Sequence, residues 1–163
     1  MRPLLAITLA AAVLAAATAA QAAQTVYDDA LAPGWSSWSW AKVSLANAAP
    51  AHSGGASIAV DAAPWSALYL SHAPMDLSGF KTLTFWVHGG AKGGQSLSVV
   101  AVVGGKALTD HFVRVVPHAG TWTEVSVPIA KLGVGGKAID GLWIQNGSGE
   151  ALETFYVDDI SLQ

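Results

Sequence analysis

The sequence contains no cysteine in its 163 residues. This absence excludes disulfide bonds, thiolate metal sites and the cysteine through which bacterial lipoproteins are attached. Small exported domains often depend on disulfides for their stability. Packing of an apolar core must therefore stabilise this chain, with or without a bound metal ion.

Charged side chains are also scarce, at 12% of the residues, and the formal net charge is −3. Arg114 is the only arginine after Arg2, and the lysines are spread along the chain. Without Arg2, which belongs to the leader described next, the net charge is −4. A chain with no basic stripe cannot neutralise a row of phosphates, so no nucleic acid partner is expected. A neutral or hydroxyl-rich ligand suits this composition better.

Only one long apolar run is present, over residues 4–20, and it ends in Ala20-Gln21-Ala22. That ending has the small residues typical of a signal-peptidase site. The run is mostly alanine and no second apolar run follows, which favours a cleaved leader over a membrane anchor. We predict a signal peptide over residues 1–22 and a single domain over residues 23–163. The domain is expected to be secreted or periplasmic, monomeric and free of the membrane.

No stretch of useful length has the apolar period of a helix. Short alternating or β-branched runs recur instead, separated by glycine pairs such as Gly89-Gly90 and Gly104-Gly105. These runs predict ten strands, at residues 25–29, 38–45, 56–60, 67–71, 82–88, 96–103, 111–116, 123–128, 141–145 and 154–162. Strands of this number and spacing are typical of an all-β fold, a two-sheet antiparallel β-sandwich or jelly roll.

Alternation along three of these strands places tryptophan on the face away from the core, because successive side chains point to opposite sides of a sheet. Trp86 shares that outer face with His88, and Trp143 shares it with Gln145. Trp40 lies on the outer face of the strand predicted at residues 38–45. Three strands thus carry outward tryptophans.

The seven tryptophans divide into two groups. Trp35 and Trp122 are predicted to close the core, which is the usual place for so large an apolar residue. The others exceed what an aliphatic core needs, and together they predict an exposed aromatic platform. The candidate ligand-binding residues are Trp38, Trp40, Trp65, Tyr69, Trp86, His88, Trp143 and Gln145. The alternative is that all of these rings are structural.

Such a platform suits sugar rings, whose C–H faces are apolar while their hydroxyls seek polar groups at the rim. Lys42 and Asn146 are further candidates for that rim. Two or three stacked rings with a few exposed hydrogen bonds predict a binding free energy of roughly −4 to −8 kcal/mol, which is millimolar to micromolar affinity.

Paired acids lie near both ends of the domain, in Tyr27-Asp28-Asp29 and in Tyr156-Val157-Asp158-Asp159-Ile160. Asp158 shares the parity of Ile160, so it is expected to point inward, where an unpaired carboxylate is costly. Calcium, which takes six to eight oxygen ligands, would satisfy it. The residues alone favour the alternative, in which these acids are solvated at strand ends.

Several segments in order resemble the galactose-binding-like jelly roll of calcium-containing carbohydrate-binding modules. They are Tyr27-Asp28-Asp29, Gly34-Trp35, Ser53-Gly54-Gly55-Ala56-Ser57-Ile58, Leu83-Thr84-Phe85-Trp86-Val87, Trp122-Thr123-Glu124-Val125 and Tyr156-Val157-Asp158-Asp159-Ile160-Ser161-Leu162. The resemblance covers nearly the whole domain. It implies non-catalytic binding of a polysaccharide or oligosaccharide.

The same resemblance implies a structural Ca²⁺ ion. Its ligands would be Asp28 or Asp29 in the first strand, backbone carbonyls of the loop that begins at Ser53, and Asp158 or Asp159 in the last strand. Such modules usually accompany a catalytic domain, whereas this sequence carries a leader and one domain. Three roles therefore stay open for this domain: binding by itself, adhesion, and binding beside a partner enzyme.

Two alternatives to binding remain open. A jelly-roll polysaccharide lyase, or another carbohydrate-active enzyme, would draw on His88, His111, Arg114 and Tyr69. No hydrolase or phosphate-binding motif supports catalysis, so we expect no enzyme. The other alternative is an exported adhesive or structural surface protein.

Overall fold

The computed structural model describes residues 22–163, so the predicted leader lies outside the described residues except for Ala22. It contains thirteen strands and two short 3₁₀ helices, of three and four residues. The strands are β1 (Gln24–Asp28), β2 (Ala30–Leu31), β3 (Ser36–Ser37), β4 (Val43–Asn47), β5 (Ser57–Val60), β6 (Ala67–Met75), β7 (Thr82–His88), β8 (Leu97–Val103), β9 (Lys106–Ala107), β10 (Val113–Val115), β11 (Trp122–Pro128), β12 (Ile139–Asn146) and β13 (Phe155–Leu162). Within residues 22–163, no helix has the length and apolar character needed to cross a membrane.

The strands form two antiparallel sheets. Sheet A has the order β11-β7-β13-β1-β2, and β5 pairs with the first part of β13 and with β4. Sheet B has the order β10-β8-β12-β6-β3, and β9 pairs with β8. The predicted two-sheet antiparallel β-sandwich is therefore confirmed.

The core lies between the two sheets. It is formed by every second side chain of the strands, the set that alternation in the sequence places on the inner face. Leu83, Phe85 and Val87 of β7 are at most 2% exposed, and Leu142 and Ile144 of β12 are also buried. Trp35 is 6% exposed and packs in this core, as predicted.

The strand predicted at residues 38–45 is wrong in its first half. Residues 38–42 belong to no strand, and β4 begins at Val43. The reason is topological, because the chain passes here from β3 in sheet B to β4 in sheet A. A segment that changes sheets cannot keep one continuous hydrogen-bonding partner.

Asp158 is fully buried, as expected for an inward carboxylate, but it lies on the outer face of sheet A beneath the loop that carries His52 and not in the core. Asp158 is opposite Trp86 of β7, whereas Ser161 is opposite Thr84, so the register shifts between them. Asp159, with a φ of 48°, lies in this irregularity. The extra residue reverses the parity, so Ile160 faces the core and Asp158 faces outward.

Candidate functional site

Five aromatic side chains gather on the outer face and edge of sheet B, and we refer to them as the sheet B cluster. They are Trp38, Trp40, Trp65, Tyr69 and Trp143. Tyr69 of β6 and Trp143 of β12 are directly opposite in the register, with ring centroids 5.8 Å apart. The outward position of Trp143 is the one that alternation predicts.

Trp38 and Trp40 reach the cluster on the irregular segment that follows β3. The Trp38 amide donates to the Tyr69 carbonyl at 2.8 Å, and the Tyr69 amide donates to the Ser39 hydroxyl at 3.0 Å. The Ala41 amide then donates to the Ala67 carbonyl at 3.1 Å. The Ser39 hydroxyl thus accepts a hydrogen bond that a backbone carbonyl would accept in a regular strand pair. Residues 38–41 therefore stay hydrogen-bonded to the edge of β6.

The two rings pack against the strand residues beneath them. The Trp38 ring lies 6.0 Å from the Tyr69 ring, and the Trp40 ring lies 4.7 Å from the Trp143 ring. Ring planes within the cluster meet at 69° to 82°. These edge-to-face contacts show that the rings of the cluster are not coplanar, so its surface is ridged and not flat.

Trp65 completes the cluster from the turn before β6. Its backbone has a φ of 56°, a left-handed conformation that tryptophan rarely adopts. The Trp65 carbonyl accepts hydrogen bonds from Trp40 Nε1 and from Gln145 Nε2, both at 2.9 Å, and the Trp65 amide donates to the Ser148 carbonyl. The bonds to its carbonyl tie the turn to both neighbouring parts of the cluster.

Three rings of the sheet B cluster are open to solvent. Trp38 is 65% exposed, Trp65 is 56% exposed and Trp40 is 47% exposed. The Trp38 and Trp40 rings both contact Tyr69, and the Trp65 carbonyl accepts the bond from Trp40 Nε1 while the Trp65 ring lies against Gly149. Exposed apolar area of this kind usually has a partner. Hydrogen bonds hold all three residues, so this surface is formed before any ligand arrives.

Trp86 and His88 do not belong to this cluster, and the prediction of a single aromatic face is wrong for them. They lie on the outer face of β7, in sheet A. Trp122 and Tyr156 are opposite His88 on either side, with ring centroids 5.3 and 5.7 Å from it. Trp122 is half-buried in this row, so its predicted place in the core is wrong as well.

A loop covers part of the sheet A row. The His52 imidazole is stacked on the Trp86 ring, with centroids 3.8 Å apart and planes 14° apart. It also contacts the edge of Trp122 at 5.7 Å. One face of Trp86 is therefore occupied by a side chain of the protein itself. Nothing in the sequence around His52 indicated this contact.

Three carboxylates hold that loop in place. Asp29 accepts the amides of Gly55 and Ala56, both at 2.8 Å. Asp158 accepts the His52 amide at 2.8 Å, and Asp159 bonds the His52 ring at 2.6 Å. These bonds fix the loop over sheet A.

Two groups of this region have displaced pKa values. Burial raises the pKa of Asp158 from its ordinary value, against the hydrogen bonds from the His52 and Asp159 amides, which lower it. Burial, and then the charge of Asp158, raises the pKa of Tyr27 to about 12. The Tyr27 hydroxyl is neutral and donates to the Leu45 carbonyl at 2.8 Å.

The predicted calcium ligands come together only in part. Asp29, Asp158 and Asp159 surround the loop of Ser53, whereas Asp28 is exposed beside them. Their oxygens accept bonds from N–H and O–H donors, and no three acidic or histidine side chains of residues 22–163 converge on one point. The predicted ligand set also draws on backbone carbonyls of this loop, since calcium takes six to eight oxygen ligands. The ion stays a prediction.

Only two of the residues considered for a lyase share a face. Tyr69 and Arg114 both lie on the outer face of sheet B, with β8 and β12 between their strands, whereas His88 lies on sheet A. The His111 ring packs against Gly133. A shared base and neutralising cation are therefore not assembled from this set.

The fold is similar to that of several carbohydrate-binding modules. A family 29 module from Piromyces equi has a TM-score of 0.58 and 18% identity, over 86% of this chain and 89% of that chain. A family 11 module from Clostridium thermocellum, in complex with a β-1,3-1,4-mixed-linked tetrasaccharide, has a TM-score of 0.64 and 16% identity, over 86% and 94% of the two chains. A family 29 module in complex with mannohexaose has a TM-score of 0.63 and 11% identity, over 86% and 90%. At these identities the likeness is one of fold.

In sequence, the chain is 29% identical over 144 residues to an endoglucanase from Dictyostelium discoideum. The aligned region covers 83% of this chain and 20% of that protein, so the chain spans about a fifth of its relative. No model of a protein family matches the sequence.

Proposed function

We propose that the sheet B cluster binds a polysaccharide or oligosaccharide and does not convert it chemically. The observation that carries this proposal is the exposure of Trp38, Trp40 and Trp65 on one pre-formed surface. Indole rings offer apolar area to the C–H faces of sugars at a low cost in conformational entropy. Gln145, which donates to the Trp65 carbonyl, supplies a polar group beside the rings.

The similar structures support a sugar as the ligand. Modules of this fold have been solved with mannohexaose, with cellulohexaose and with a mixed-linked tetrasaccharide. The relative in Dictyostelium discoideum is an endoglucanase of which this chain matches a fifth, which suits a binding unit beside a catalytic one. We propose a role of that kind, after export directed by residues 1–22.

Binding without catalysis is supported by the chemistry of the side chains that the cluster presents. The cluster offers indoles, one phenol and the Gln145 amide, which suit recognition.

Affinity gel electrophoresis on a panel of neutral and acidic polysaccharides tests this function. The protein should be retarded by at least one of them, and a variant with Trp38, Trp40 and Trp65 all replaced by alanine should migrate as in a gel without polymer. Trp122→Ala, on the other sheet, is the matched control and should remain retarded. No retardation by any polymer would refute glycan binding.

Two further assays separate the alternatives. Absorbance of unsaturated products, after incubation with uronate polymers, would identify a lyase. Capture of cells or matrix protein, without retardation by any purified glycan, would identify an adhesive surface protein.

A further inference from the structure

Arg114 lies on the same outer face of sheet B as the aromatic cluster. It is the middle residue of β10, and its neighbours Val113 and Val115 both pack against the core, so the arginine side chain faces outward. Arg114 is opposite Ser98 of β8, and Ser98 is opposite Gln145 of β12. The three residues form one row across three adjacent strands.

This row joins the arginine to the cluster at short range. Gln145 is hydrogen-bonded to the Trp65 carbonyl, and two strand spacings, about 10 Å, separate it from Arg114. On β8, the strand between them, the nearest residues of this face are the small Ser98 and Val100, which are only 9% and 1% exposed, so a ligand here would rest on the larger side chains to either side. A ligand lying across the strands can therefore contact the tryptophans and the arginine together.

The guanidinium group is held in place but not neutralised. Its Nη1 donates to the Ser96 hydroxyl, and its carbon lies 5.6 Å from the centroid of the exposed Phe112 ring. Among residues 22–163, the ion pairs join Lys42 to Asp61 and His52 to Asp159, so no carboxylate pairs with Arg114. Most of its five N–H donors remain free for a ligand.

We infer that Arg114 binds the carboxylate of an acidic sugar and that the ligand is a uronate-containing polysaccharide lying across sheet B. A planar guanidinium pairs with a carboxylate through two parallel hydrogen bonds, which a neutral hydroxymethyl group cannot reproduce. Because Phe112 and Ser96 already hold the guanidinium group, the arginine side chain loses less conformational entropy when it pairs with a carboxylate. This inference rests on the proposed function, since the sheet B cluster binds the rest of the chain.

Two polymers that differ only in the carboxyl group provide the test. One is a polyuronate such as polygalacturonate, and the other is the same polymer after chemical reduction of its carboxyl groups to alcohols. Isothermal titration at low ionic strength should give about tenfold tighter binding of the acidic polymer, the equivalent of one good ion pair. Added salt should reduce that preference, because it screens exposed charges.

Arg114→Gln should abolish the preference and leave binding of the reduced polymer within about twofold. Arg114→Lys should keep part of it, since the charge remains and the planar fork is lost. Lys106→Gln removes another exposed cation of sheet B and is the matched control, which should keep the full preference. Equal binding of both polymers by the unsubstituted protein, or an unchanged preference in Arg114→Gln, would overturn the assignment.

The same titrations distinguish this inference from the proposed function. Binding of the reduced polymer that depends on Trp40, without a preference for the acidic one, overturns the role of Arg114 alone. Binding of neither polymer, nor of any other glycan, overturns both.

Discussion

The two sheets each carry aromatic rings on their outer face, but they differ in what covers those rings. On sheet B, Trp38, Trp40 and Trp65 are about half exposed or more. On sheet A, Trp86 and Trp122 are half-buried, and the His52 imidazole is stacked on Trp86. An aromatic side chain that points to the outer face of a sheet is therefore not always accessible to a ligand.

The cover on sheet A depends on hydrogen bonds from a distant part of the chain. His52 and Asp158 are 106 residues apart in sequence, and the loop is fixed by carboxylates of β13 and of the turn after β1. On sheet B, the irregular segment that follows β3 carries rings outward instead of covering others. Loops thus close one face of the sandwich and build a binding surface on the other.

The largest effect is expected from Asp158→Ala, which removes the acceptor beneath the sheet A loop. The amides of His52, Ser53 and Asp159 would lose their partner, and leaving these partly buried donors unsatisfied costs about 3 kcal/mol in the free energy of unfolding. Urea denaturation measures this loss. Asp76→Ala is the control, because its hydrogen bonds are confined to Ser78 in an exposed turn.

If the two faces are independent, Asp158→Ala should still be retarded by glycan at temperatures where it is folded. Loss of retardation in the folded variant would show that the sheet A loop also shapes the sheet B cluster.

A direct comparison of the two faces comes from Trp40→Ala and Trp86→Ala. Trp40→Ala should weaken glycan binding by about 2 kcal/mol, or roughly 30-fold, because it removes an exposed ring together with its bond to the Trp65 carbonyl. Trp86→Ala should leave glycan affinity unchanged and lower stability by about 1 kcal/mol or more, through loss of the His52 stack. Titration and denaturation of both variants check the pair. The opposite pattern would place the binding surface on sheet A.

A smaller effect is expected from Tyr27→Phe, which tests the hydrogen bonds on the sheet A side. The variant loses the bond to the Leu45 carbonyl, at a cost of about 1 kcal/mol at pH 7. Tyr27 has a pKa of about 12 when folded, against about 10 for an unfolded tyrosine. The unfolded state therefore loses its proton first, and the contribution of Tyr27 to stability decreases as the pH rises from about 10 to about 12.

Urea denaturation at pH 7, 10 and 11 should show a steeper alkaline loss of stability in the natural sequence than in Tyr27→Phe. Parallel slopes for the two proteins would contradict a buried, neutral Tyr27. Tyr156→Phe is a control at pH 7, where it should cost less, because its hydroxyl makes no hydrogen bond within residues 22–163.

The smallest effect concerns the calcium ion that the sequence resemblance implies. If the hydrogen bonds to Asp29, Asp158 and Asp159 are sufficient to hold the sheet A loop without a metal ion, a chelator should leave the melting temperature unchanged. A ligand that binds only the folded state must raise its stability, so an increase in melting temperature with added Ca²⁺ would support the predicted ion. Differential scanning calorimetry with EDTA and with millimolar Ca²⁺ decides between the two outcomes.

Local alternation predicted part of the candidate site. It placed Trp143 and Gln145 outward on β12, and the structure agrees. It also placed Trp86 outward on β7, but alternation carries no information on which sheet a strand joins, so Trp86 and Trp143 were assigned to one face in error. The same rule failed for Asp158, because a single extra residue in β13 reverses the parity after it.

Trp122 and His52 show a second limit of sequence reasoning. Trp122 was expected in the core, but its position opposite His88 follows from the pairing of β11 with β7. The stacking of His52 on Trp86 depends on a loop held by residues more than a hundred positions away. Such contacts leave no local pattern.

The sequence by itself determined the β-sandwich, most of its strands and, in regular strands such as β7 and β12, the side that faces the core. These follow from the period-two pattern and from turn-forming glycines, which act over a few residues. Only the tertiary structure decided which sheet each tryptophan occupies, which rings are covered and that Arg114 shares the face of the sheet B cluster. Those properties depend on strand order and loop paths, which join residues far apart in the chain.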